Sequence, residues 1–91
     1  MAITIKLHNS YLKKFTDDRD TITVNGKTVG ECIADLERQY PSVRQSLQDE
    51  NGTFRDYWEI YVNSASAYPE EMTKAVKDGD EIALVAVISG G

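Results

Sequence analysis

A single stretch of this chain carries a helical stripe. Val29, Cys32, Ile33, Leu36 and Tyr40 follow at steps of three, one, three and four, which puts all five on one face of an α-helix. Glu31, Asp35, Glu37, Arg38 and Gln39 take the other face. Thr28 and Glu31 stand where a capping threonine and a reciprocating glutamate start a helix, and Pro41 ends it. The other patterned segments read as strands. One helix of about a dozen residues cannot cover both faces of a sheet, so the chain is predicted to be α+β, with one helix across one face and the other face open.

The strands are read from period and composition. Ile3, Ile5 and Leu7 alternate with Thr4, Lys6 and His8, and Thr21 to Val24 is rich in β-branched residues. The stretch from Asn9 to Asp20, polar apart from Tyr11, Leu12 and Phe15, is read as the long loop of a hairpin between these two strands, turning at Asp17-Asp18. Trp58, Ile60 and Val62 alternate with Glu59 and Tyr61. Asn63-Ser64 begins a turn, Ala65 to Tyr68 a brief edge strand, and Met72 with Val76 a helical turn. Val43 and Leu47 are expected to point inward from a short turn after Pro41. Lys77-Asp78-Gly79-Asp80 is a turn signal leading into Glu81 to Ile88, apolar after its first residue, as a central strand is. Tyr57, Tyr61, Val85 and Val87 are the candidates to line the open face and dock a partner.

With 91 residues there is room for one domain, 1–91, and no deep cofactor cavity. A formal charge of -5 argues against nucleic-acid binding, which needs a basic stripe, and steers the chain towards basic protein surfaces. No segment is long and apolar enough to span a membrane, and the first residues lack a signal-peptide pattern. With Cys32 as the one cysteine, no internal disulfide and no cysteine-based zinc site can form. A cytoplasmic location is expected, with no bound cofactor and no metal.

No catalytic constellation of the chain's own is present. His8 reads as an exposed residue at a strand end. Cys32 lies on the apolar stripe, where a cysteine behaves as a small hydrophobe and not as a reactive thiol. Asp78, Asp80 and Glu81 could be taken for a calcium ligand set, but between two hydrophobic runs they read more simply as a turn. The unusual feature is the ending Ile88-Ser89-Gly90-Gly91, a diglycine reached one residue after a hydrophobic strand. Residues 89–91 are read as a flexible functional tail. Three residues beyond Ile88 extend about 10 Å, enough to leave the body of the domain.

Three segments give the whole chain a resemblance: Thr28-Val29-Gly30-Glu31-Cys32-Ile33-Ala34-Asp35-Leu36-Glu37, Ile60-Tyr61-Val62-Asn63, and Lys77-Asp78-Gly79-Asp80-Glu81-Ile82-Ala83 leading to Gly90-Gly91. Together they resemble the ubiquitin-like sulfur carriers of the ThiS and MoaD type, which serve thiamine, molybdopterin and some amino-acid pathways. The long Gln48 to Phe54 loop is most similar to that of carriers in a cysteine-forming branch. One departure is Ala86-Val87, where family tails often carry proline. The resemblance implies a β-grasp fold, a mixed sheet of four to five strands with one main helix across one face.

It also implies a chemistry. An activating enzyme uses ATP to convert the Gly91 carboxylate to an acyl-adenylate, and a sulfur donor then yields a thiocarboxylate. Ser89 and Gly90 are the residues recognised in the tail, because glycine leaves a narrow channel unobstructed. The implied partners are the adenylating enzyme and a sulfur-accepting biosynthetic enzyme, with a metalloprotease as a further partner where the end is exposed by cleavage. Two alternatives stay open: a ubiquitin-like modifier forming isopeptide bonds through Gly91, and a non-catalytic β-grasp interaction domain.

Overall fold

The computed structural model describes residues 2–8 and 10–86, with the backbone alone for Ser10 and Tyr11. The expected roles of Val87, Ser89, Gly90 and Gly91 lie outside the described residues. Strands β1 (Ile3–Leu7), β2 (Thr21–Val24), β3 (Trp58–Val62), β4 (Ala65–Ser66) and β5 (Glu81–Ala86) form one sheet in the order β2-β1-β5-β3-β4. β1 and β5 run parallel, and the other pairs are antiparallel. This is the expected mixed sheet, with the first and last strands side by side at its centre.

The period of two decides the faces. Ile3, Ile5, Leu7, Ile22, Val24, Trp58, Ile60, Val62, Ile82 and Leu84 are buried on one side. The main helix α2 (Val29–Gln39) lies there, contributing buried Val29, Cys32, Ile33 and Leu36. Each fully covered Ile or Leu of this layer contributes about 1.5–3 kcal/mol relative to exposure. After α2, a 3-10 turn (Pro41–Val43) and a single turn α3 (Arg44–Leu47) bury Val43 and Leu47, as their spacing predicts.

The start of α2 differs in detail from the predicted box. Thr28 Oγ1 accepts from the Glu31 amide at 3.1 Å, but Glu31 Oε1 accepts from the Lys27 amide at 2.8 Å, one residue before the cap. The remaining first-turn amides reach outside the helix: Val29 N donates to Lys74 O and Gly30 N to Met72 O, both at 2.9 Å. A β-carbon on Gly30 would stand 2.9 Å from Met72 O, so only glycine permits that approach.

Two segments depart from expectation. Within the loop read as polar, a single helical turn α1 (Ser10–Lys13) forms, and Leu12 and Thr16 are fully buried. Thr16 Oγ1 donates to Arg19 O at 2.9 Å, which settles its polar atom inside. Asp17 and Asp18 take φ of 54° and 62°, the left-handed turn that short polar side chains tolerate. Around Met72, one α-type turn is closed by Lys74 N donating to Glu70 O, but Val76 lies beyond it. The helix does not continue because this main chain pairs with its neighbours: Met72 and Lys74 carbonyls serve α2, and Val76 N donates to Lys27 O.

Candidate functional site

The tail residues follow β5 in the sequence, so the site is built from what fixes that strand. Between β3 and β4, Asn63 and Ser64 form a two-residue turn with φ of 50° and 71°, a conformation Asn adopts more readily than most residues. Asn63 then reaches the start of β5. Its Nδ2 donates to Asp80 Oδ1 and its Oδ1 accepts from Glu81 N, both at 2.9 Å, while its amide donates to Glu81 O at 2.8 Å. Asp80 Oδ2 accepts from Lys77 N at 2.9 Å across the Gly79 turn, where φ is 91°. The Asn63 and Asp78-Gly79-Asp80 motifs, seventeen residues apart between Asn63 and Asp80, thus form one clasp at the start of β5.

The hydrogen bonds from Asn63, and then from Lys77, hold the Asp80 carboxyl below the usual carboxylate range, against the opposing effect of its burial. A lowered folded-state pKa means the clasp's charged form stabilises the fold above the unfolded value, about 3.9, and that stability is lost as pH falls through the folded value. Urea midpoints should therefore fall from pH 7 to pH 3 in the native chain, and fall less steeply in Asp80→Asn. Equal slopes in the two proteins would remove Asp80 from the acid response. The same hydrogen bonds leave the Asp78, Asp80 and Glu81 group as a turn, and among the described residues no three His, Cys, Asp or Glu side chains converge as a metal site.

Among the described residues, no element covers the sheet face away from α2. In register across it, Lys6, Ala83 and Tyr61 form one row, and Glu59 stands beside Val85 in the next. Tyr61, Ala83 and Val85 are half-buried and Lys6 and Glu59 exposed, a small apolar patch between opposite charges. Tyr61 Oη donates to Glu59 Oε1 at 2.7 Å, and that bond, with the carboxylate's charge, raises the phenol above its ordinary value. Tyr61 and Val85 therefore lie together on the face where the strand phase places them. Tyr57 does not join them. It precedes β3, and its hydroxyl donates at 3.3 Å to Ser46 O, the same carbonyl that takes the buried Trp58 Nε1 at 2.9 Å. The alternation stops at the strand's end, and α3 draws Tyr57 towards the helix side. Ala83 and Lys6 are members of the patch that the sequence reading missed, because only the register of β1 and β3 on β5 brings them in.

His8 is exposed and donates its amide to Leu84 O at 3.3 Å. Cys32 is fully buried, and burial, then the charge of Glu31, pushes its thiol up. A β-carbon on Gly26 would stand 2.9 Å from Cys32 Sγ, so the thiol is closely covered. Cys32→Ala is expected to cost about 1 kcal/mol through a small cavity, read from the urea midpoint. No helix among the described residues is long and apolar enough to cross a membrane.

The model of the ThiS family matches residues 7–91. The sulfur carrier protein CysO of Mycobacterium tuberculosis is 27% identical over 94 residues, covering 100% of both chains. Among solved structures, the BexX/CysO complex of Amycolatopsis orientalis contains a chain superposing with TM-score 0.85 at 25% identity, over 99% of this chain and 100% of that one. Small archaeal modifier protein 1 of Haloferax volcanii has TM-score 0.84 at 24% identity, with 100% of each chain covered, a likeness of fold. The sheet with α2 across it is the ubiquitin-like β-grasp shared by these neighbours.

Proposed function

The chain belongs to the ThiS family, and on that premise we propose that it is a sulfur carrier whose working group is the carboxylate of Gly91. The observation that carries this reading is the position of β5. It is held between hydrogen-bonded strands on both sides, clasped at its start, and followed by five residues ending in Gly90-Gly91. Five residues reach at most about 18 Å, so the carboxylate can enter a partner's active site while the sheet stays outside. The named relatives, a sulfur carrier and a carrier in a complex, support the same reading.

A carboxylate is a poor electrophile, being anionic and resonance-stabilised. An activating enzyme joins it to the α-phosphate of ATP, releasing pyrophosphate and leaving an acyl-adenylate. A sulfur donor at the oxidation level of sulfide attacks the acyl carbon, a C–S bond forms, and the C–O bond to AMP breaks. The resulting thiocarboxylate donates sulfur to an acceptor enzyme in cofactor or amino-acid biosynthesis. In this reading the chain acts as a co-substrate of its partner enzymes in the cytoplasm. Its contribution is to hold the tail's root rigid and to offer Tyr61, Ala83 and Val85 as a docking patch beside it.

The test is the intact mass of protein purified from its own cells. A shift of one oxygen-to-sulfur exchange, mapped to the last peptide, supports the carrier. Gly91 joined by an isopeptide to lysines of other proteins would make it a modifier, and an unmodified carboxylate untouched by ATP and a cognate activating enzyme would leave only an interaction domain.

A further inference from the structure

The sheet has two edges, and they are treated differently. At the β2 edge, Gln39 Nε2 of α2 donates to Thr23 O at 2.9 Å, and Asp35 Oδ2 accepts from the Asn25 amide at 3.0 Å. Side chains of α2 therefore occupy main-chain groups that an incoming strand would need. At the other edge, β4 pairs only with Tyr61 and Val62, and Ala67 N donates to Ile60 O. On its side away from β5, the earlier half of β3 has no strand beside it among the described residues; Trp58 N donates to Arg55 O at 3.4 Å and Ile60 O takes Ala67 N, which leaves the Trp58 carbonyl and the Ile60 amide for an incoming strand. Alternate residues of a strand direct their main-chain groups to the same side, so the carbonyl of Trp58 faces outward as that of Ile60 does.

Beside that uncovered stretch lies a groove of about 450 Å³. Phe54, Trp58, Ile60 and Met72 give it an apolar lining, and Tyr68, 77% exposed, stands at its wall. The remaining lining includes three acids, Asp56, Glu59 and Glu71, and one base, Arg55. Its Nη2 donates to Gln45 O at 3.3 Å, and the acids outnumber it. An unpaired strand edge beside an apolar groove is the setting in which an extended peptide adds a strand, with main-chain bonds giving affinity and alternate side chains filling pockets. The acidic surplus selects the occupant. It repels a second copy of this chain, whose edge carries the same acids, and attracts a segment bearing Lys or Arg.

We propose that the groove beside Trp58–Ile60 is a second docking site, separate from the Tyr61 and Val85 face, which takes an extended basic segment of a partner protein as an added strand on β3. Alternate residues of the segment lie on Phe54 and Met72, and its basic side chains meet Asp56 and Glu71. Because Trp58 pairs with Ala86 at the end of β5, the site stands one strand away from the root of the tail.

The probe is an acetylated, amidated hexapeptide of alternating lysine and valine, titrated into the full-length nitrogen-15-labelled chain. Saturable shifts should concentrate at the amides of Trp58 to Ile60, Tyr68 and Met72, with a parallel change in emission from Trp58, the one tryptophan. Methylating alternate backbone nitrogens of the peptide should weaken it about tenfold or more, since those amides make the strand bonds. Glu71→Lys, at a partly exposed position, should weaken it while leaving the spectrum folded. The tail-deleted chain lacking Gly90 and Gly91 should bind equally well, which keeps this site distinguishable from the tail chemistry. Shifts centred on Tyr61 and Val85, equal binding of the glutamate-valine peptide, indifference to methylation, loss on tail deletion, β3-edge dimerisation, or no saturation at millimolar peptide would each overturn it.

Discussion

Removal of Gly90 and Gly91 is expected to abolish ATP-dependent adenylation by a cognate activating enzyme and to leave the melting temperature within about 2 °C of the full chain. The two halves of this result come from different parts of the molecule. The described core between α2 and the sheet and the Asn63–Asp80 clasp are made without Gly90 or Gly91. Under the proposed function the chemistry resides in the Gly91 carboxylate, and the shortened chain would present its carboxylate two residues early and without the glycines a narrow channel requires. The measurement is pyrophosphate exchange alongside a thermal melt. Undiminished exchange by a truncated chain would refute recognition of the diglycine.

The second large effect separates two neighbours on β5. Leu84→Asp should unfold the chain, because Leu84 is fully buried and an unpaired carboxylate there would cost well over 4 kcal/mol, comparable with the whole stability of a small domain. Val85→Asp, one residue on, should keep the fold and weaken binding to the activating or acceptor enzyme by roughly 2 kcal/mol or more, about thirtyfold. Successive side chains of a strand point to opposite faces, so one position separates core from contact. Circular dichroism and calorimetric titration of the pair distinguish these effects. If Val85→Asp unfolds too, the face described as open is covered by something essential.

The sequence revealed more of the fold than of its supports. β1, β3 and α2 were legible because each repeats one periodicity over five residues or more, and burial alone fixes the phase of such a pattern. Leu12 and Thr16 were not, since a single helical turn gives too short a sample for any period, and the buried Thr16 hydroxyl is satisfied by local main-chain acceptors, Lys13 O and Arg19 O. The Met72 to Val76 segment misled because its spacing suits a helix while its main chain serves α2 instead. Tyr61 and Val85 could be placed by strand phase alone. Tyr57 could not, because a residue outside a strand is positioned by whichever neighbour offers a partner, here the Ser46 carbonyl. The clasp was visible only as two turn motifs, and nothing in either states that Asn63 and Asp80 touch.

The parallel pairing of Leu7 with Leu84 has a consequence for the chain's life history. β5 is the central beam to which β1 and β3 both attach, and it comes last in the sequence. A chain stopped before Glu81 holds two hairpins, β1 with β2 and β3 with β4, without the strand that joins them into one sheet, and isolated hairpins are marginal in water. Joining near-opposite ends of the polymer is also the slow kind of contact, since loop entropy must be lost before any pairing is gained. Folding is therefore conditional on synthesis having passed β5, and a chain that stops short of it lacks the face that carries Ala83 and Val85.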